Sequence, residues 1–422
     1  MMQRFLFLIS FFFACSLGWA QTPTLVQHVS CPNAGAMGSG NGGPQSSTPD
    51  YLCPLPEPSQ AGNTLLLGFF SDNTNTPTWT ISDDKSNTWN LAQSRTDNYG
   101  NIFSVYYALN VAAGTHMVKV HASTQTLGYL AASISEYYNV ATSSALDTSN
   151  CYAGGSSTSI AAGSITPSAS GDLLWQFAAN ANAASVSSFT EGAQSNLAWS
   201  LNGTDIHDGD ATQAGIYTST SAINPMFSSG TSQPWDSCVM ALKAASAGNA
   251  PTASFRIVHM LHAQQGSTDA STYAAEMPTS GNLLVISYIS GGNVITGITS
   301  NPSTTWLSTG ANASITWAVS QIYYAANAAT SNTQSFSISQ SGTITGTTFM
   351  FYDIAGAASS PFDADSGGLT NDSSSFNSVP MCSSCLTPTA ANELVIGNIG
   401  NTECTATGVS TPTGALFDTA TY

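Results

Sequence analysis

Charge is what this sequence has least of. Asp, Glu, Lys and Arg make up 7% of its 422 residues, with six basic residues against 23 acidic ones. One of the six, Arg4, falls in the N-terminal leader, so Lys85, Arg95, Lys119, Lys243 and Arg256 are the basic residues left. A phosphate backbone is neutralised by several clustered Lys or Arg side chains. Five scattered cations in a chain of net charge −17 exclude nucleic acid as a partner. Lys is absent after position 243, which excludes Lys–Asn isopeptide cross-links in the second half of the chain. No G-x-S-x-G pentapeptide occurs, so the strained nucleophile elbow of a serine hydrolase is missing. After the leader no run reaches the roughly 20 apolar residues that a membrane-spanning helix needs.

The leader itself is legible. "MMQR" is a short basic start, "FLFLISFFFACSL" an apolar run, and "GWA" a small-residue end at Ala20. That is a secretory signal peptide over residues 1–20, with cleavage expected before Gln21. Phe12 and Phe13 stand where a lipid-attachment motif at Cys15 would carry Leu and a small residue. The protein is therefore expected to be secreted or extracellular, associated with a cell surface rather than spanning a membrane. Export makes disulfides the default reading of its cysteines. Cys31 and Cys53 bracket a Gly/Ser/Pro-rich loop and are expected to staple it, and Cys151 and Cys238 are placed to join two strands. Cys382 and Cys385 form "CSSC", read as a structural bridge because no second CxxC or His pair accompanies it. Cys404 makes the count odd. With 42% hydrophobic residues and 10% aromatics the chain can fill a core.

The chain also says things twice. "LVQHVS" (25–30) returns as "RIVHML" (256–261), setting His28 against His259. "GNTLLLGFF" (62–70) returns as "GNLLVISYI" (281–289), "SNTWNL" (86–91) as "STTWLS" (303–308), and "SVYYALNVAAGT" (104–115) as "SQIYYAANAATS" (320–331). "EYYNVATSSALD" (136–147) aligns with "MFYDIAGAASSPFD" (350–363), and "ITPSASGDLLW" (165–175) with "LTPTAANELVI" (386–396). Blocks kept in order at a drifting offset are a tandem duplication. Each block reads as a short strand rich in β-branched and aromatic residues, or as a turn such as "SDNTNTP" or "DDKSN". The expected fold is all-β: two tandem antiparallel β-sandwich domains, jelly-roll-like. The first module spans 21–243, "AASAGNAPTA" (244–253) has linker composition, and the second spans 254–422. The second copy lacks counterparts of "AGIYTSTS" and "WDSCVMALKAA", so it is expected to be incomplete, with further modules in a longer chain.

The pattern "GNTLLLG … SNTW … YYA … ITP … GDLL" resembles the tandem β-sandwich repeat modules of large secreted bacterial surface proteins. The resemblance covers most of both halves. It implies a fold and an extracellular location, and carries over no catalytic residue.

Few residues offer chemistry. Asp205, Asp208 and Asp210 in "DIHDGD" put hard oxygen ligands in one Gly-containing loop, which is what calcium requires. His259 and His262 would face opposite sides of a strand, which argues against zinc. Glu136 aligns with Met350, so it stands outside the shared scaffold, and no E-x-D-x-x-E strand motif is present. Aromatics shared by both copies, Trp89 with Trp306 among them, read as scaffold. Trp79 faces Thr296 in the alignment and follows the loop "NTNTP", which makes it the candidate ligand contact. The expected function is a non-catalytic module pair for adhesion, spacing or glycan binding, with polysaccharide or cell-surface components as partners. The alternative is an extracellular carbohydrate-active enzyme or its accessory domain.

Overall fold

The computed structural model describes residues 21–31, 50–71, 78–123, 130–182, 185–206, 209–245, 255–265, 272–290, 292–310, 313–315, 318–342, 347–364 and 394–397. The leader, most of the 244–253 segment, Asp208, Cys382, Cys385 and Cys404 lie outside the described residues. Every regular element among the described residues is a β-strand, as the turn-punctuated sequence predicts.

The first half supplies β1 (Thr24–Ser30), β2 (Asp50–Pro54), β3 (Thr64–Ser71), β4 (Trp79–Asp83), β5 (Trp89–Thr96), β6 (Ile102–Ala108) and β7 (Met117–Ala122). It continues with β8 (Leu130–Tyr138), β9 (Leu146–Ala161), β10 (Asp172–Asn180), β11 (Phe189–Thr190), β12 (Leu197–Asp205), β13 (Asp210–Tyr217) and β14 (Met226–Leu242). The second half supplies β15 (Arg256–Gln265), β16 (Thr272–Thr279), β17 (Leu283–Ser290), β18 (Ile295–Asn301) and β19 (Leu307–Ser308). It ends with β20 (Ala313–Ile315), β21 (Ala318–Ala326), β22 (Ser331–Gln340) and β23 (Thr347–Ala355).

The two halves share one sheet. Its order is β19-β21-β17-β23-β15-β1-β8-β3-β6-β5, with β20 also on β21. The order reads as a palindrome of equivalent strands, centred on β15 and β1. Those two strands pair in parallel, His28 opposite His259. A palindrome with a parallel central pair is what a two-fold axis along the strands produces, and such an axis turns the second half over. The packing agrees. Leu65 and Leu67 share a core cluster with Val285 of the second half, whereas their own repeat counterparts, Leu284 and Ile286, pack in a cluster on the other face.

Three further sheets cover this plate: β11-β14-β10-β13-β12 with β9 on β14, then β2-β7-β4, then β16-β22-β18. Hydrophobic pattern follows from the covering. β3 is buried at every position because layers lie on both its faces: Val118 and Val120 of β7 on one side, Trp175 and Phe177 of β10 on the other. A continuous apolar run suits a strand covered on both faces. β7 alternates half-buried and buried residues, as a strand covered on one face should. Both disulfides expected within the first half are formed, Cys31–Cys53 and Cys151–Cys238, the latter between strands in register.

Gly68 sets how closely β3 approaches β10. A β-carbon there would lie 2.3 Å from the Phe177 ring, which is itself stacked on Phe103 at 5.0 Å and has no room to retreat. The duplicated position is Ser287. Gly68→Ser, which copies the second repeat into the first, should therefore destabilise the protein by about 1–3 kcal/mol. Chemical denaturation of the two proteins measures it, and an unchanged midpoint would contradict this packing.

Candidate functional site

The seam between the two halves is polar and buried. Gln27 and Glu136 are direct partners across β1 and β8, and both are buried. The Glu136 carboxylate accepts from Gln27 Nε2 at 2.5 Å, Asn63 Nδ2 at 2.6 Å and the Gln60 backbone N–H at 2.9 Å. Burial raises its pKa, and these three donors pull against that rise. In the second half Asp353 does the same work. It bonds His259 Nδ1 at 2.7 Å and accepts the Ser280 and Gly281 N–H groups at 2.6 and 2.8 Å.

These contacts correct the sequence alignment. Leu65 pairs with Glu136 and its repeat counterpart Leu284 pairs with Asp353, so Glu136 matches Asp353 and not Met350. The acid belongs to the shared scaffold: in each half a buried carboxylate ties down the turn that leads into β3 or β17. The sequences alone mislead here because the apolar residues around the two acids fit equally well three positions away.

His28 lies across the seam from His259. Its Nδ1 is 2.8 Å from Ser135 Oγ, which also accepts the Trp175 indole N–H at 3.0 Å. Burial, then the neighbouring His259, hold the His28 pKa well below its ordinary value, so it stays neutral. This Ser–His contact is sealed: His28 and Ser135 are both buried, and a β-carbon on Gly203 of β12 would lie 2.0 Å from His28 Nε2. A nucleophile–base pair needs access to substrate, and this one is structural.

The residues singled out from the sequence are dispersed. Trp79 lies in β4, half-buried, with its ring tilted against that of Phe69 at a centroid distance of 5.1 Å. Asp205 and Asp210 are direct partners at the end of the β12–β13 hairpin, both buried, with Gly209 N–H bonded to the Asp205 carbonyl. Among the described residues no group of three or more His, Cys, Asp or Glu side chains is placed to hold a metal ion. Trp89 donates its indole N–H to Asp83 at 2.7 Å, and Trp306 donates to Ser300 at 3.4 Å, six residues back in both copies. Asp83 is thus the partner of Trp89, a role that Ser300 takes in the second copy.

Sequence reasoning missed a groove that the described residues form on β9 and β14. It has a volume of about 330 Å³ and is lined by Tyr152, Gly154, Gly155, Ser156, Ser157, Ser159, Ala161 and Trp235. Its shape comes from irregular pairing of β9 with β14. Asp236 pairs with Ala153 and Pro234 with Ser156, so Gly154 and Gly155 stand against Trp235 alone. A bulge of this kind bends its strand and re-aims side chains. Trp235 is buried, edge-on to Phe189 at 5.8 Å, and donates its indole N–H to the Ser157 carbonyl at 2.9 Å. Tyr152 is 48% exposed, and its ring passes close to Gly154. The signal was present in "CYAGGSS": paired glycines inside a strand mark a bulge.

Acids cluster elsewhere. Asp236 is buried and pushed up to about 7 by burial and by the hydrogen-bonded carboxylate of Asp97. Asp172 is pushed up to about 6 by burial and by Asp147, with Lys243 opposing. Glu276 of β16 meets the first half, where its Oε1 lies 3.4 Å from the Phe189 N–H, and burial pushes it up to about 7. None of these acids lines the groove.

Comparison with family models, curated proteins and solved structures finds no match for this chain. The geometry of its own residues therefore carries the functional reading.

The raised acids set a direction for stability with pH. Each binds its proton more tightly folded than unfolded, so its contribution is complete below about pH 4 and is lost as pH rises towards 6–7. Glu276→Gln should flatten the loss between pH 4 and 7 by roughly 2–3 kcal/mol. Denaturation midpoints of both proteins across that range check it, and parallel curves would contradict the burial of this carboxylate.

Proposed function

We propose that the chain is an extracellular, non-catalytic pair of tandem β-sandwich modules from a bacterial surface protein, acting in adhesion, spacing or glycan binding. The observation that carries this reading is the sheet common to both halves. Ten strands in line, about 4.8 Å apart, make a plate roughly 45 Å wide. Layers on both its faces and a hydrogen-bonded seam stiffen it against bending between the modules. Rigid spacing and presentation of a surface are what such a plate does well.

One packing detail supports the sandwich reading. In the first half Trp175 of β10 packs on the face of the plate that holds Leu66 and Phe103. The repeat places Ile396 at the same position, and Ile396 packs against the cluster holding Val285, the counterpart of Leu66. The two disulfides suit an oxidising compartment. A surface rich in Ser and Thr hydroxyls, on a chain with 7% charged residues, suits contact with neutral polymers.

The carbohydrate-active enzyme remains the second reading, and it needs two carboxylates across an open cleft. Asp97 and Asp236 are a close pair, yet they share a hydrogen bond within the structure instead of flanking a gap. The mature chain, passed over immobilised polysaccharides, should be retained on at least one and leave it undegraded. Release of shortened sugars would overturn the non-catalytic reading. Retention on none would remove glycan binding and leave adhesion or spacing.

A further inference from the structure

We propose that the groove beside Tyr152 is a binding site for a neutral pyranose chain, with the Tyr152 ring as its stacking platform. This deepens the binding-module reading and rests on it.

The lining decides the ligand class. It contains no Asp, Glu, Lys, Arg or His, although the chain as a whole carries 23 acids. An anionic ligand would meet no cation there, and a cationic one no carboxylate. A purely apolar ligand would have to strip water from Ser156, Ser157 and Ser159 without replacing their hydrogen bonds. A sugar ring matches both kinds of surface. Its C–H face is apolar and lies flat on an aromatic ring, and its rim of hydroxyls both donates and accepts.

The geometry assigns roles. Tyr152 leans over Gly154, where a side chain would begin 3.4 Å from its ring, and nearly half of its surface is open to solvent. A β-carbon on Gly155 would meet nothing within 4 Å, so the floor of the groove is clear at that point. The bulge sets Gly154 and Gly155 together opposite Trp235 and disturbs the ladder there. Trp235 holds the wall in place: its ring packs edge-on with Phe189 and its N–H is committed to the Ser157 carbonyl. A volume of about 330 Å³ lies at the small end for ligand sites and takes about two sugar rings.

The test is binding of the mature chain to cello-, xylo- and malto-oligosaccharides, with oligogalacturonate as the anionic comparison, followed by calorimetry. Binding to at least one neutral series is expected. Tyr152→Ala should weaken it about tenfold or more, while Tyr152→Phe stays within about twofold of the parent. Gly155→Leu, which fills the clear floor, should weaken it as well. Thermal unfolding of each variant confirms that it is folded, and an exposed Tyr152 permits its truncation. Neutral-glycan binding that survives both Tyr152→Ala and Gly155→Leu would overturn the site and leave the glycan-binding reading standing. Binding of oligogalacturonate alone, or of none of the four, would overturn the inference.

Discussion

The parallel pairing of β1 with β15 is the contact on which the rest of the architecture depends. Each is the first strand of its repeat, and each would otherwise be an edge with unpaired N–H and C=O groups, open to pairing with other chains. Joining the two edges satisfies those groups and turns the second half over relative to the first. That reversal explains why Leu65 packs with Val285 rather than with Leu284, and why the covering layers of the two halves fall on opposite faces. It also explains why the seam is polar. Strands at the centre of a plate covered on both sides have no solvent to receive their side chains, so Gln27, His28 and His259 are matched to Glu136, Ser135 and Asp353.

The duplication, the all-β class and the two disulfides of the first half were legible because each leaves a mark: repeated blocks, alternating strands, and cysteines that bracket a loop or are placed to join two strands. The shared sheet was not. Nothing in "LVQHVS" or "RIVHML" says that they are neighbours, since pairing between distant strands depends on which edges remain free once each half has folded. The Glu136–Asp353 match was hidden because one acid is followed by Tyr137 and Tyr138 and the other preceded by Phe351 and Tyr352, so sliding by three residues still aligns aromatic with aromatic.

The candidate site was less legible than the fold. Trp79 drew notice as an aromatic beside a loop, yet part of its surface serves the core through Phe69. Asp205 and Asp210 do meet, at a hairpin end. Tyr152 was passed over, although it follows Cys151, whose disulfide fixes β9 to β14, and precedes the two glycines that disturb their pairing. The groove is thus made by a firm anchor next to a local irregularity. Seven acids, by contrast, are drawn into the structure: Glu136, Asp172, Asp205, Asp210, Asp236, Glu276 and Asp353 are all buried. What the protein offers outward at the groove is hydroxyl, backbone and aromatic surface.

Amide hydrogen exchange along residues 24–30 and 256–261 tests the shared sheet most directly. A strand paired on both sides protects successive amides, whereas an edge strand leaves every second N–H open to water. The shared sheet requires slow exchange at consecutive amides of both strands around the His28–His259 pair. Fast exchange at alternate amides in both strands would show two separate edges and contradict it.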